Sequence, residues 1–172
     1  EAIEIGGEII KKRFENIPEY QVNHDYRLGM VLEFSKEEKI REIEKRNITK
    51  EELCKRLEWS PNFPIVGIFS VDLTDGVFDS SWSLFRDRLT WLRETLLEIK
   101  KINNVNWLVK PHPNDEINKV ITSTISEFET ICSNYDYIKL FPSDINNGSI
   151  PKLIDAAITL QGTAGSEYPC FG

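Results

Sequence analysis

Val105-Asn-Trp-Leu-Val109 runs without a break into Lys110-Pro-His-Pro113, and this junction decides how the rest of the chain is read. The apolar run has strand length, and the prolines that follow stop it sharply. It is too continuous for a strand with one wet face, so it reads as a buried parallel strand. Three other runs share its character: Ile65-Val-Gly-Ile-Phe69, Tyr137-Ile-Lys-Leu-Phe141 and Ala156-Ala-Ile-Thr-Leu160. Between the first two, Phe85, Leu89, Leu92, Leu96 and Ile99 are spaced 4, 3, 4 and 3, one stripe of a long amphipathic helix. Between Val109 and Tyr137 a second stripe, Ile117, Val120 or Ile121, Ile125, Phe128 and Ile131 or Cys132, predicts a helix behind an Asn114 cap. A shorter helix around Ile150 to Asp155, with Pro151 in its first turn, joins the last two strands. Parallel neighbours require crossovers, and the crossovers here are helical, so the alternation predicts a doubly wound α/β layer.

Upstream of Pro64 the pattern is different. Thr49-Lys-Glu-Glu52 and Ser35-Lys-Glu-Glu38 both have capping-box spacing, and Ile48 and Leu53 occupy the staple positions of the first of these. Residues 1–34 read as a helical stretch around Ile3 to Phe14 followed by a turn-rich passage. The expected organisation is therefore a partly helical extension or linker over 1–48 and an α/β domain over 49–172. The opening without Met and the stop after Gly172 are read as marks of a fragment, truncated at its carboxyl end.

Composition narrows the function classes. Across 172 residues, 21 Lys and Arg stand against 28 Asp and Glu, a formal charge of −7, so a nucleic-acid backbone is a poor partner. The 40% hydrophobic content is enough for a real core. Three dispersed cysteines and two histidines form neither a disulfide framework nor a zinc site, which fits a reducing cytoplasm. No apolar run approaches the roughly 20 residues of a membrane helix.

Ligands of doubly wound sheets bind beyond the carboxyl ends of the strands, so the segments after each strand carry the candidate chemistry. In Gln161-Gly-Thr-Ala-Gly-Ser-Glu167, Gly162 and Gly165 allow close backbone approach, and a helix starting near Ala164 would turn its amides toward an anion. Thr163 and Ser166 add hydroxyl donors, and Glu167 is placed to accept from ribose or sugar hydroxyls. The alternative is a strand-to-helix turn whose glycines serve geometry alone. In Lys110-Pro-His-Pro113 the prolines frame His112, whose imidazole could donate to a phosphate oxygen that Lys110 neutralises; the alternative is a packed loop histidine. Asp72 and Asp75, in the loop after the first strand, are candidate general bases or hydroxyl-positioning groups, with turn formation as the plainer role.

Lys110-Pro-His-Pro113, Leu160-Gln-Gly-Thr-Ala-Gly-Ser-Glu-Tyr-Pro169 and the intervening Ile150-Pro-Lys-Leu-Ile-Asp155 together resemble the carboxyl-terminal, donor-binding half of GT-B-type glycosyltransferases that build bacterial capsules and other surface carbohydrates. Gly67-Ile-Phe-Ser70 and Asp87 to Thr95 are similar to the same group. The resemblance covers roughly Thr49 to Gly172 and implies a Rossmann-like lobe of a GT-B fold. It also implies transfer of a sugar from a nucleotide-sugar donor to a glycan or lipid-linked acceptor. Carried over, His112, Thr163 and Ser166 become donor-phosphate contacts, Lys110 a supporting charge and Glu167 a hydroxyl acceptor. Neither a bound metal nor another cofactor is implied. The acceptor lobe, with the usual catalytic base, would lie outside this stretch, and the parent protein would work in the cytoplasm with access to the inner membrane face. A CDP-glycerol-type glycerophosphotransferase and a nucleotide-sugar 2-epimerase share the architecture and are the alternative enzymes. A non-catalytic α/β partner-binding module is the alternative of another class.

Overall fold

A computed structural model describes residues 45–73, 84–117, 122–162 and 164–168. The expected helices of the 1–44 region lie outside the described residues. Helix α1 (Lys50–Leu57) begins at the anticipated capping box: Glu52 donates its amide to the Thr49 hydroxyl at 3.2 Å, and its carboxylate accepts the Thr49 amide at 2.7 Å. Each bond satisfies an amide that a helix start otherwise leaves bare. Glu58 ends the helix in the left-handed region, at φ 58°.

Strand β1 (Ile65–Phe69) leads through the loop after Ser70 to helix α2 (Arg88–Ile99), whose N-cap Asp87 accepts the Thr90 amide at 2.6 Å. Strand β2 (Asn106–Lys110) is followed by the short helix α3 (Asn114–Ile117), helix α4 (Thr124–Ile131) and strand β3 (Ile138–Leu140). A 3₁₀ turn over Asn147–Ser149 feeds helix α5 (Ile150–Leu153), then strand β4 (Ala156–Thr159) and helix α6 (Ala164–Glu167). All strand pairs among the described residues are parallel, in the order β3-β2-β1-β4. The chain forms an α/β, Rossmann-like sheet.

Helices cover both faces, and the pleat sorts the side chains between them. Ile65 and Phe69 of β1 and Leu108 of β2 pack with Leu53, Trp59, Ile150 and Leu153, the side held by α1 and α5. Ile68 of β1 and Trp107 and Val109 of β2 point the other way, onto Trp91, Leu92 and Leu96 of α2 and Phe128 of α4. A bidentate pair from Arg93 to Glu127, both bonds 2.7 Å, ties α2 to α4.

Phe85, expected to open the stripe of α2, lies before its N-cap Asp87, and two further expectations need correction. The stripe from Ile117 to Cys132 is not one helix behind Asn114. Residues Thr122 and Ser123 are not helical, and α4 starts afresh at a Ser123–Ser126 capping box. A local hydroxyl and the Asp115 carboxylate, which accepts the Thr124 amide at 3.0 Å, offer those amides a better start than continuation. The fourth strand is also not buried. Ala156, Ala157 and Ile158 are exposed, because β4 is the edge of the described sheet and pairs only with β1 there.

Candidate functional site

In register, Phe69 of β1 stands opposite Lys110 of β2 on one side and Thr159 of β4 on the other. The three loops that leave this row therefore emerge on one rim of the sheet, with the β2 and β4 exits two strand spacings, about 10 Å, apart. Ser70 extends the row by donating its amide to the Lys110 carbonyl at 3.0 Å. The histidine segment and the glycine-hydroxyl segment, some fifty residues apart in sequence, are thus neighbours across β1. The winding reverses between β1 and β4, where a doubly wound sheet opens its crevice.

His112 is oriented by hydrogen bonds as well as by its prolines. Its Nδ1 accepts the Asn114 amide at 3.2 Å, and its carbonyl accepts the Asp115 amide at 3.0 Å. With Nδ1 used as an acceptor, the neutral ring carries its proton on Nε2, leaving that atom as a donor. Asn114, expected as a helix cap, opens α3 instead, and its side-chain amide donates to Asp72 Oδ2 at 2.6 Å. The imidazole takes the capping role.

Below this surface the polar groups are paired, as burial demands. Thr124, fully buried, donates its hydroxyl to Ser70 Oγ at 2.6 Å, and Ser70 Oγ donates to the Val71 carbonyl at 3.2 Å. Together with Asp115, also buried, these bonds lock the start of α4, the exit of β1 and the first turn after His112 into one unit.

Arg88, the first residue of α2, stands between the β1 and β4 loops. Its Nη1 donates to the Asp72 carbonyl at 2.7 Å and its Nη2 to Gln161 Oε1 at 3.3 Å. Sequence reasoning did not single out Arg88, Gln161 or the paired Ser70 and Thr124, and it gave Asn114 only a cap. A general signal pointed to some of them: in a parallel α/β layer, crossover helices start at the carboxyl rim, so their first residues are rim residues.

The glycines of the β4 segment have different tasks. Gly162 takes φ +117°, which side chains disfavour, and opens the loop into free space. At Gly165 a Cβ would come within 3.2 Å of Thr159 Cγ2, so its bareness lets α6 lie close to β4. Tyr168 then anchors the segment, meeting the Phe69 ring edge-on at 5.0 Å. Ser166 and Glu167 belong to the backbone of α6, whereas Thr163 and Asp75 lie outside the described residues.

The chain matches no family model, no curated protein and no solved structure. Its site must be judged on its own chemistry. Among the described residues no group of three His, Cys, Asp or Glu side chains could hold a metal ion, and no helix is long and apolar enough to cross a membrane. Cys54 and Cys132 are buried, and burial pushes the Cys132 thiol up to about 11, so it is no nucleophile at neutral pH. What remains at the rim is a half-buried imidazole donor, the basic side chains of Arg88 and Lys110, and the carboxylate of Asp72.

Burial lowers the pKa of His112, and its neighbours Asp72 and Asp115 offset part of that effect. The unfolded chain, with an ordinary histidine near pH 6.5, therefore binds more protons than the folded one just below that pH, so stability falls on acidification through this window. Replacing His112 with Asn is expected to flatten thermal-unfolding midpoints between pH 5 and pH 7 relative to the wild-type slope. Equal slopes in the two proteins would assign the acid sensitivity elsewhere.

Proposed function

We propose that this domain is the donor-binding part of a glycosyltransferase that moves a sugar from a nucleotide-sugar onto a surface polysaccharide or glycan. The observation that carries the proposal is the register row Phe69, Lys110 and Thr159, which sets the His112 loop and the Gly162 loop on one rim, flanking the switch point. Such a rim takes an elongated ligand with a phosphate at its centre.

In this reading His112 donates from Nε2 to a phosphate oxygen of the donor, and Lys110 supplies positive charge next to it. As the glycosidic bond to the donor breaks, negative charge grows on the departing phosphate, and donors already held in place stabilise that charge without rearranging. The bonds from Asn114 to Asp72 and to His112, with the buried Ser70–Thr124 pair beneath, provide that rigidity. Asp72, fixed beside the imidazole, suits the positioning of a donor hydroxyl. The positive-φ turn at Gly162 gives the ligand room against the backbone. The acceptor and the base that activates it belong to the rest of the enzyme, which works at the cytoplasmic side of the membrane.

Titration calorimetry with CMP, UDP and their sugar conjugates tests this. Binding to the wild-type chain is expected, with His112→Ala weakening it about tenfold, the loss of roughly one well-placed hydrogen bond to a charged group. A folded wild-type chain that takes up none of these nucleotides at millimolar concentration would overturn the proposal.

A further inference from the structure

We infer that Arg88 is a phosphate ligand of the crevice between β1 and β4, and that Gln161 holds its place until the ligand arrives. The inference rests on the donor-site reading above and extends it to residues with no role in it. The guanidinium spans the boundary at which the sheet reverses its winding: Asp72 follows β1, Gln161 follows β4, and Arg88 donates to both.

These two of its bonds are unequal. At 2.7 Å from Nη1, the Asp72 carbonyl belongs to the main chain of the β1 exit, and it fixes the direction of the side chain. At 3.3 Å from Nη2, the Gln161 oxygen is a neutral amide at the end of an exposed side chain. A charged donor bonds an oxyanion at about 2.7–2.9 Å and roughly twice as strongly as neutral pairs bond. A phosphate oxygen entering the crevice therefore displaces Gln161 and leaves the Asp72 bond intact. The planar guanidinium can hold the Asp72 carbonyl and a phosphoryl oxygen at once from its two Nη atoms, which a lysine's single ammonium cannot match. With Lys110 on the far side of β1, the ligand chemistry is a diphosphate, whose two phosphoryl groups meet Arg88 and the His112 loop.

The test is calorimetric titration of the whole chain with inorganic pyrophosphate and with UDP, in wild type, Arg88→Gln, Arg88→Lys, Gln161→Ala and His112→Ala, with circular dichroism to confirm folding. Arg88→Gln is expected to lose at least about tenfold in affinity and Arg88→Lys several-fold, since it keeps the charge without the fork. Gln161→Ala is expected to bind as tightly as wild type or tighter, because the competing acceptor is gone. If Arg88 only braced the two loops, Gln161→Ala would weaken binding as Arg88→Gln does, and that result overturns the inference. So does undiminished binding by Arg88→Gln, or by Arg88→Lys should the Gln variant not fold. Binding that falls in His112→Ala and not in the Arg88 variants sinks this inference alone, whereas a wild-type chain that binds neither probe sinks the donor-site reading with it.

Discussion

Gly67→Val is expected to destabilise the domain by about 2 kcal/mol, although valine is the better strand former. The site is in the middle of β1, between β2 and β4, and a Cβ there would stand 2.7 Å and 2.9 Å from Phe69 Cε2 and Cζ and 3.4 Å from Ile154 Cδ1. Residues two apart on a strand share a face, so the Phe69 ring lies over the glycine. That ring is buried and also packs edge-on against Tyr168, so it has little room to withdraw. Relief of glycine's chain entropy returns roughly 0.5–1 kcal/mol, and forcing a branched side chain into a filled core costs about 1–3 kcal/mol or more. The steric term wins. Urea denaturation measures the loss, and a double-mutant cycle tests its cause. Gly67→Val combined with Phe69→Ala should cost no more than Phe69→Ala alone, since the clash goes with the ring. Additive losses would place the cause outside this contact. Because Phe69 also seats Tyr168, Gly67→Val should loosen the segment after β4 and weaken any nucleotide binding in parallel.

That contact marks the boundary of what could be read from the sequence. β1 was legible to its end residues, because five apolar positions between Pro64 and Ser70 admit few other structures. Thr49 and Glu52 were legible because a capping box is a local arrangement that needs no tertiary partner. The stripe at Leu92, Leu96 and Ile99 was legible for the same kind of reason, a periodicity that tertiary contacts merely exploit. The break before α4 was hidden, since apolar spacing continues through it, and the Asp115 carboxylate that helps start the new helix comes from nine residues earlier. The exposure of β4 was hidden because an apolar run does not state which neighbours cover it. The positions of Lys110, His112 and Gly162 at strand ends were legible from the prolines and glycines that punctuate them. Arg88 and Asn114 were not, because their bonds to Asp72 exist only once β1 lies between β2 and β4, and strand order is not written in local pattern.

Asp155 has a structural task, and Asp155→Ala is expected to cost about 2–3 kcal/mol. It opens β4 at the rim opposite the site. Its amide donates to the Ile65 carbonyl at 2.7 Å, its carboxylate accepts the Ile65 amide at 2.8 Å, and both its oxygens accept from Lys50 Nζ at 2.7 Å and 2.6 Å. One side chain thus joins the starts of β1 and β4 to α1. The ion pair is 32% and 45% exposed, so solvent screening limits it to less than about 1 kcal/mol. The larger share comes from the Ile65 amide, which belongs to a fully buried residue and would lose its acceptor, at about 1–3 kcal/mol. Asp155→Asn keeps an oxygen for that amide, so it should cost less than half as much as Asp155→Ala. The bond from Lys50 lowers the Asp155 pKa, with a further contribution from the Ile65 amide, while partial burial opposes both. The unfolded carboxyl, near pH 3.9, takes up its proton first, so the stabilisation is complete above that pH and is lost as acidification proceeds through the lower folded value. The gap in urea midpoints between wild type and Asp155→Asn should therefore be smaller at pH 3 than at pH 7. A gap that does not shrink would mean that the geometry of the group, and not its charge, carries the difference.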